Sequence, residues 1–437
     1  MKEVKKFVYI ALVAGGMLGS FISCDYLDVS KELSENLTLE QVFNNPGYTK
    51  RWQANIYNCI PNYSEMGKEA TTGFTGIWNL MSGQVVANTT AVGTQMLTGF
   101  NSSNASFHRW ATLYKYIRQG FIFLDNAKDY MGSEQDVSYI SKKDMDRLKA
   151  ETKFLIAYSY FSLFELYGPV PLITEIEDPE NKTIDYPRAS VDEIVNYIDR
   201  LLQEVLDSNA LPETLFTESA SGSLDYEHNN DRYNLKEIVR PTKVTVLALR
   251  AKLWVYAASP LFNGGYGEAL QLTNKDGKHL FPDEDKTKWN TAKTHLETLF
   301  TFAEAKGHKL YYSKPGSNGL PDPNLSVYEL FQYYNDEILW ANGNNSYRIV
   351  GNDMERRTCP RGANGFCNIG LYQEGVDAFF TKNGLTIEED PEYNEDGFGN
   401  LTNVCSSTLH NDKHIFNMYH NREPRFYNTV TYEGRSW

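Results

Sequence analysis

A chain of 437 residues that is 41% hydrophobic and 22% charged can bury a large core, and this composition excludes a disordered polymer. Its 56 acidic against 42 basic side chains leave a formal charge of −14, which excludes nucleic acid as a partner, because that affinity comes from Lys and Arg neutralising phosphates.

At the N-terminus Lys2, Lys5 and Lys6 precede an apolar stretch from Phe7 to Leu18 that ends among glycines, the pattern of an exported chain's signal peptide over residues 1–23. Phe21-Ile22-Ser23-Cys24 follows and resembles a bacterial lipobox, with Phe21 standing where Leu is usual. Cys24 is therefore expected to carry the lipid, and residues 24–37, beginning Cys24-Asp25-Tyr26-Leu27-Asp28, to act as a polar tether. Two or three acyl chains, each contributing about 0.8 kcal/mol per buried CH2, would hold such a protein at a bilayer. No later segment offers an uninterrupted run of about 20 apolar residues.

Helical spacing then recurs down the chain. Tyr48, Trp52, Ile56, Cys59 and Ile60 form one apolar stripe, and Trp110, Leu113, Tyr114, Ile117, Phe121 and Leu124 a stronger one. From about Asp144 to Tyr167 the apolar rings surround nearly the whole circumference, which predicts a helix buried on most sides, and Gly168-Pro169-Val170-Pro171 stops it. Ser190-Val191-Asp192-Glu193 has capping-box spacing before the stripe Ile194, Ile198, Leu201, Leu202 and Val205. Thr242 opens a helix through Ala258, whose alanines allow close approach of a neighbour, and Trp289 to Ala305 supplies another. The expected fold is all-α, a tetratricopeptide-like helical repeat scaffold over residues 38–330 with long irregular loops and a few short strands. Tyr427 to Tyr432 alternates in the manner of a strand.

Long polar loops separate the helices, notably Thr71 to Ser106, Glu218 to Tyr233, Gly264 to Asp285 and Ala341 to Gly370. Beyond Cys24, four cysteines allow three pairings; Cys359 and Cys367 flank a flexible stretch that could close as a short disulfide loop, which the sequence leaves open. No His stands beside them at zinc-ligand spacing, and neither a metal nor a cofactor is expected.

Four motifs occur in a telling order. Arg147 to Phe161 runs into Leu166-Tyr167-Gly168-Pro169-Val170-Pro171-Leu172; then come Tyr186-Pro187-Arg188-Ala189-Ser190, Tyr372 to Phe380 with Asn383-Gly384, and Glu423-Pro424-Arg425-Phe426-Tyr427. Together with the lipobox-like start, they make the chain similar to the SusD/RagB family of outer-membrane nutrient-binding lipoproteins. The resemblance implies a lipid-anchored cell-surface protein that sits as a hinged lid on a SusC-like TonB-dependent transporter, delivers oligosaccharides into it, and performs no chemistry. Some members take peptides instead, and a structural surface protein is the third reading. The family pattern continues past Gly434-Arg435-Ser436-Trp437, so residues 331–437 are expected to be a loop-rich ligand-binding region truncated at its C-terminus.

A glycan site needs aromatic platforms for sugar C–H faces beside amides and charges for the hydroxyls. Trp78 with Asn79 and Gln84 is the first candidate, and the loop bearing Trp340, Asn344, Tyr347 and Arg348 the second. The acidic run Glu388-Glu389-Asp390 reads as a solvated turn without EF-hand spacing, and His108, His414 and His420 as surface histidines. No G-x-S-x-G, H-E-x-x-H or P-loop motif appears, so no catalytic residue is assigned.

Overall fold

The computed structural model describes residues 37–61, 78, 81–87, 109–176, 185–217, 232–343, 354–402 and 411–435. The signal peptide, Cys24 and nearly all of the tether, and the candidates Asn79, Asn344, Tyr347 and Arg348, lie outside these residues.

The architecture is all-α, a tetratricopeptide-like scaffold. It starts with α1 (Leu39–Phe43) and α2 (Pro46–Ile56), capped by Thr38 and Asn45, with Pro46 placed where a missing N–H costs nothing. Helix α3 (Trp110–Asn126) packs on α2 and on α4 (Lys142–Tyr167). Gly120 permits the second contact, since a Cβ there would lie 2.7 Å from the Ile156 side chain. As the ring pattern predicts, α4 is buried on almost every side between Ala150 and Phe164, and each large side chain removed from water contributes about 1.5–3 kcal/mol. Gly168 ends it at φ 65°, a conformation that disfavours any side chain.

Helix α5 (Val191–Asp207) begins with the Ser190–Glu193 capping box read from the sequence, and α6 (Lys243–Ala258) with a reciprocal Thr242–Thr245 pair. Helix α7 (Thr287–Ala305) completes the series. Each of α3 to α7 packs on the next in chain order, and the main core runs from α1 to α6. A satellite cluster of Val244, Leu247, Ala251, Leu299 and Ala303 joins α6 to α7, which explains the small residues on α6. Among the described residues no helix is long and apolar enough to cross a membrane.

The remainder is loop-rich. It contains α8 (Pro323–Leu330), α9 (Met354–Thr358) and α10 (Gln373–Asp377), with an antiparallel pair joining β1 (Val85–Ala87) to β2 (Ile369–Leu371). A second pair joins β3 (Phe398–Thr402) to β4 (Asn411–Phe416), and α11 (Pro424–Thr429) follows. Helix α11 corrects the expectation of a strand at Tyr427: Pro424 occupies the first turn, where its fixed φ favours a helix, and the alternating rings Phe426, Tyr427 and Tyr432 all enter one small core with Val376 and Ile415.

Candidate functional site

The structure separates the aromatic residues singled out by sequence. Trp78 is half-buried at a single helical position between undescribed neighbours. Trp340 is committed to packing rather than presented as a platform. Its ring meets Phe154 and Tyr158 of α4 edge-on at 5.6 and 5.4 Å, and its indole N–H donates to the Val239 carbonyl at 2.8 Å. Of the adjacent tyrosine pairs, Tyr311 is buried and donates to Glu329, whereas Tyr312 is 59% exposed; the alternation expected of a strand is present in an extended loop.

A polar cavity of about 220 Å³ lies instead in the C-terminal region. Three chain segments build it. The turn after α10 supplies Thr381 and Lys382, the next turn supplies Asp390, Glu392, Tyr393 and Asn394, and the residues following β4 supply Asn417, His420 and Asn421.

Arg422, buried beneath the cavity, fixes these segments together. Its guanidinium donates to the carbonyls of Met418 at 3.1 Å, Val376 at 2.9 Å and Phe379 at 2.7 Å, and lies 5.0 Å from the Phe426 ring and 5.7 Å from that of Tyr393. Residue 422 also bridges to Thr381, and the Lys382 amide donates to the Asn421 carbonyl at 2.6 Å. The Tyr427 hydroxyl accepts from the Arg422 amide at 3.2 Å and donates to the Tyr419 carbonyl at 2.9 Å.

In the acidic turn Glu388 and Glu389 are exposed as expected, and Asp390 alone is drawn in. Asp390 is 6% exposed, accepts from the Glu392 amide at 2.9 Å and from Asn383 at 3.1 Å, and is held below the usual carboxylate range, chiefly by the Thr381 hydroxyl. Glu392 is also held low, first by Asn383 and then by Lys382, whose ammonium lies 3.3 Å away. His420, expected at the surface, is pushed below its ordinary pKa by burial, so the ring is neutral at neutral pH. Its ring is held by the backbone of Ile415, and its Nε2 is buried with no hydrogen-bond partner. Gly399 makes room for it, since a Cβ there would lie 2.9 Å from the ring.

Carboxylates and a neutral imidazole therefore face a lysine and three amides across a space smaller than the roughly 300 Å³ from which drug-sized pockets begin. Such a set of acceptors and donors suits the hydroxyls of one sugar ring, with Tyr393 as the aromatic surface. Glycoside hydrolysis needs one carboxyl kept protonated, whereas Asp390 and Glu392 are both held ionised. Among the described residues no group of three or more His, Cys, Asp or Glu side chains could hold a metal ion. The signal that could have found the cavity is the order of the motifs. Asn383 and the Glu423 to Tyr427 run flank it in sequence and support it in space.

Outside the cavity, the Cys359 and Cys367 thiols are free, although the Cys367 amide donates to the Cys359 carbonyl at 3.0 Å.

Two family models match the chain. One, described as starch-binding associating with outer membrane, covers residues 25–223; the other, described as the SusD family, covers residues 336–437. Among solved structures, the protein BT4246 aligns with a TM-score of 0.65 at 21% identity, over 90% of this chain and 66% of its own. A SusD-like carbohydrate binding protein from Bacteroides fragilis NCTC 9343 aligns at 0.54 with 14% identity, over 90% of this chain and 60% of its own. Another SusD-like protein from the same organism aligns at 0.51 with 17% identity, over 88% and 60% respectively. The chain thus spans about two thirds or less of the length of these structures. A search of curated proteins found no match. With both family models and the shared helical fold in agreement, the chain belongs to the SusD/RagB family.

Proposed function

We propose that this protein is a non-catalytic glycan receptor of the outer-membrane surface, lipid-anchored through Cys24, that hands oligosaccharides to a SusC-like TonB-dependent transporter. The observation that carries the glycan reading is the cavity between Thr381 and Asn421, where ionised carboxylates, amides, a lysine and a neutral histidine converge beside one aromatic ring. Its volume suits one ring of a longer ligand, and Trp78 is retained as a further contact for the rest of the saccharide. The family's starch-binding description and the carbohydrate-binding relative from Bacteroides fragilis support this ligand class over peptides.

A thermal-shift screen of the chain against neutral oligosaccharides and oligopeptides tests the proposal, because a ligand at about 100 times its Kd stabilises by about 2.7 kcal/mol. Stabilisation by sugars that weakens in Asn417→Ala supports the reading. Stabilisation by peptides alone transfers the protein to the peptide-binding branch of the family, and silence in both panels removes the receptor reading.

A further inference from the structure

A second concave site lies on the opposite side of the sequence's domain division, along the first half of α5. It is an open groove of about 560 Å³. Its walls are clamped in place: the Ala189 amide donates to the Val170 carbonyl at 2.9 Å, Asn274 donates to the Arg188 carbonyl at 2.7 Å, and the Val191 amide donates to the Leu280 carbonyl at 2.9 Å. Three segments distant in sequence thus meet around one groove. Leu172, Pro187, Ala189 and Tyr197 give it an apolar floor.

The charges on its rim are unequal. Lys278 and Glu193 neutralise each other in an ion pair. Arg188 and Arg200 remain, and among the described residues neither makes an ion pair or a side-chain hydrogen bond; Arg200 stacks over the Tyr197 ring at 5.2 Å. The other carboxylates of α5 are engaged elsewhere: Asp192 binds Lys288, Asp199 binds Arg250, Glu204 binds Lys153 and Asp207 accepts from Gln203. In a chain of formal charge −14, two unpaired guanidinium groups on one groove form a local exception. Guanidinium groups bind planar or multi-oxygen anions through paired hydrogen bonds, and an apolar floor accepts the C–H face of a sugar.

We propose that this groove is a separate ligand site for an anionic saccharide, whose carboxylate or sulfate is held by Arg188 and Arg200 while a ring face rests on the floor beside Tyr197. This site is independent of the C-terminal cavity, whose carboxylates disfavour anions.

The test is equilibrium binding of three oligosaccharides of equal length, one bearing uronic acids, one sulfated and one neutral, to the full chain and to an Arg188→Ala/Arg200→Ala double variant. Both positions are exposed, so folding is expected to survive and is checked by circular dichroism. The proposal expects an anionic oligosaccharide to bind better than the neutral one, to weaken about tenfold or more in the double variant, and to weaken as salt rises. Arg188→Lys/Arg200→Lys should recover only part of the loss, because it keeps charge but not the paired geometry. Binding of the uronic acid alone names carboxylate as the source of charge, and of the sulfated chain alone names sulfate. Equal binding of the neutral chain, affinity unchanged in the double variant, or no binding of either anion would overturn the proposal.

Discussion

Arg240 donates to Glu151 through Nε at 2.8 Å and lies 2.7 Å from the same oxygen through Nη2, and Glu151 has no exposed surface. The carboxylate also accepts from Arg147 at 2.9 Å and from the Tyr57 hydroxyl at 2.8 Å, so one buried charge joins the turn after α2, α4 and the turn before α6. The carbonyl that holds Trp340 belongs to Val239, next to Arg240. Trp340 is thereby tied, one residue from Arg240, to the segment that carries this ion-pair network.

Removing Glu151, the fully buried member, leaves the partly buried guanidinium groups of Arg147 and Arg240 sharing Glu237 alone. Glu151→Ala is expected to cost about 3–5 kcal/mol of stability, read from urea denaturation. A double-mutant cycle with Arg240→Ala should show strong non-additivity, and additive losses would contradict a shared network.

Trp340→Ala should destabilise by about 3 kcal/mol through lost packing on Phe154 and Tyr158. Ligand affinity measured well below the unfolding temperature should stay within about twofold of wild type, because the truncation removes less than the roughly 1 kcal/mol expected of a direct contact. A selective loss of sugar binding in a stable Trp340→Ala protein would restore the platform role.

The C-terminal cavity has a defined pH response. Asp390 and Glu392 are held below their unfolded values, so their contribution to stability is full above the ordinary carboxylate range of about 4 and is lost as pH falls through their lowered folded values. His420 is also held low: the folded protein resists its protonation, so stability falls as pH drops below about 6.5. Comparing wild type with His420→Asn between neutral and mildly acidic pH should show a shallower loss for the variant, and identical slopes would contradict a buried neutral imidazole.

The loop from Cys359 to Cys367 is already drawn together by a backbone hydrogen bond, and a Cβ at Gly365 would collide with Cys359. Mild oxidation by glutathione disulfide is predicted to join these two thiols intramolecularly, with loss of two hydrogens and reduction of the glutathione to its thiol. Peptide mapping under non-reducing conditions should find the Cys359–Cys367 link, whereas alkylation of both thiols after oxidation would argue against it.

The long helices were legible because their signals are local. Ser190 and Thr242 announce their own caps, and the all-round rings of α4 declare a central helix. The cavity was not, because its chemistry depends on contacts across the chain. Asp390 stands in an acidic run that looks solvated, and only its burial beside Thr381 and Asn383 gives it a structural place. His420 has no local pattern at all until β4 and Gly399 enclose it. Trp340 is the reverse case: among amides it reads as a sugar platform, and only the fold reveals that its N–H is used by Val239 and its ring packs on Phe154 and Tyr158.

The central claim is that the protein captures glycans through the cavity lined by Glu392, Asn417 and His420. Its most direct test is isothermal titration of neutral oligosaccharides into wild type and a Glu392→Gln/Asn417→Ala double variant. The account predicts saturable binding by wild type and a loss of about tenfold or more in the variant, with no turnover of the sugar. Equal affinity in both proteins would place the glycan elsewhere, and hydrolysis of the sugar would contradict a receptor that performs no chemistry.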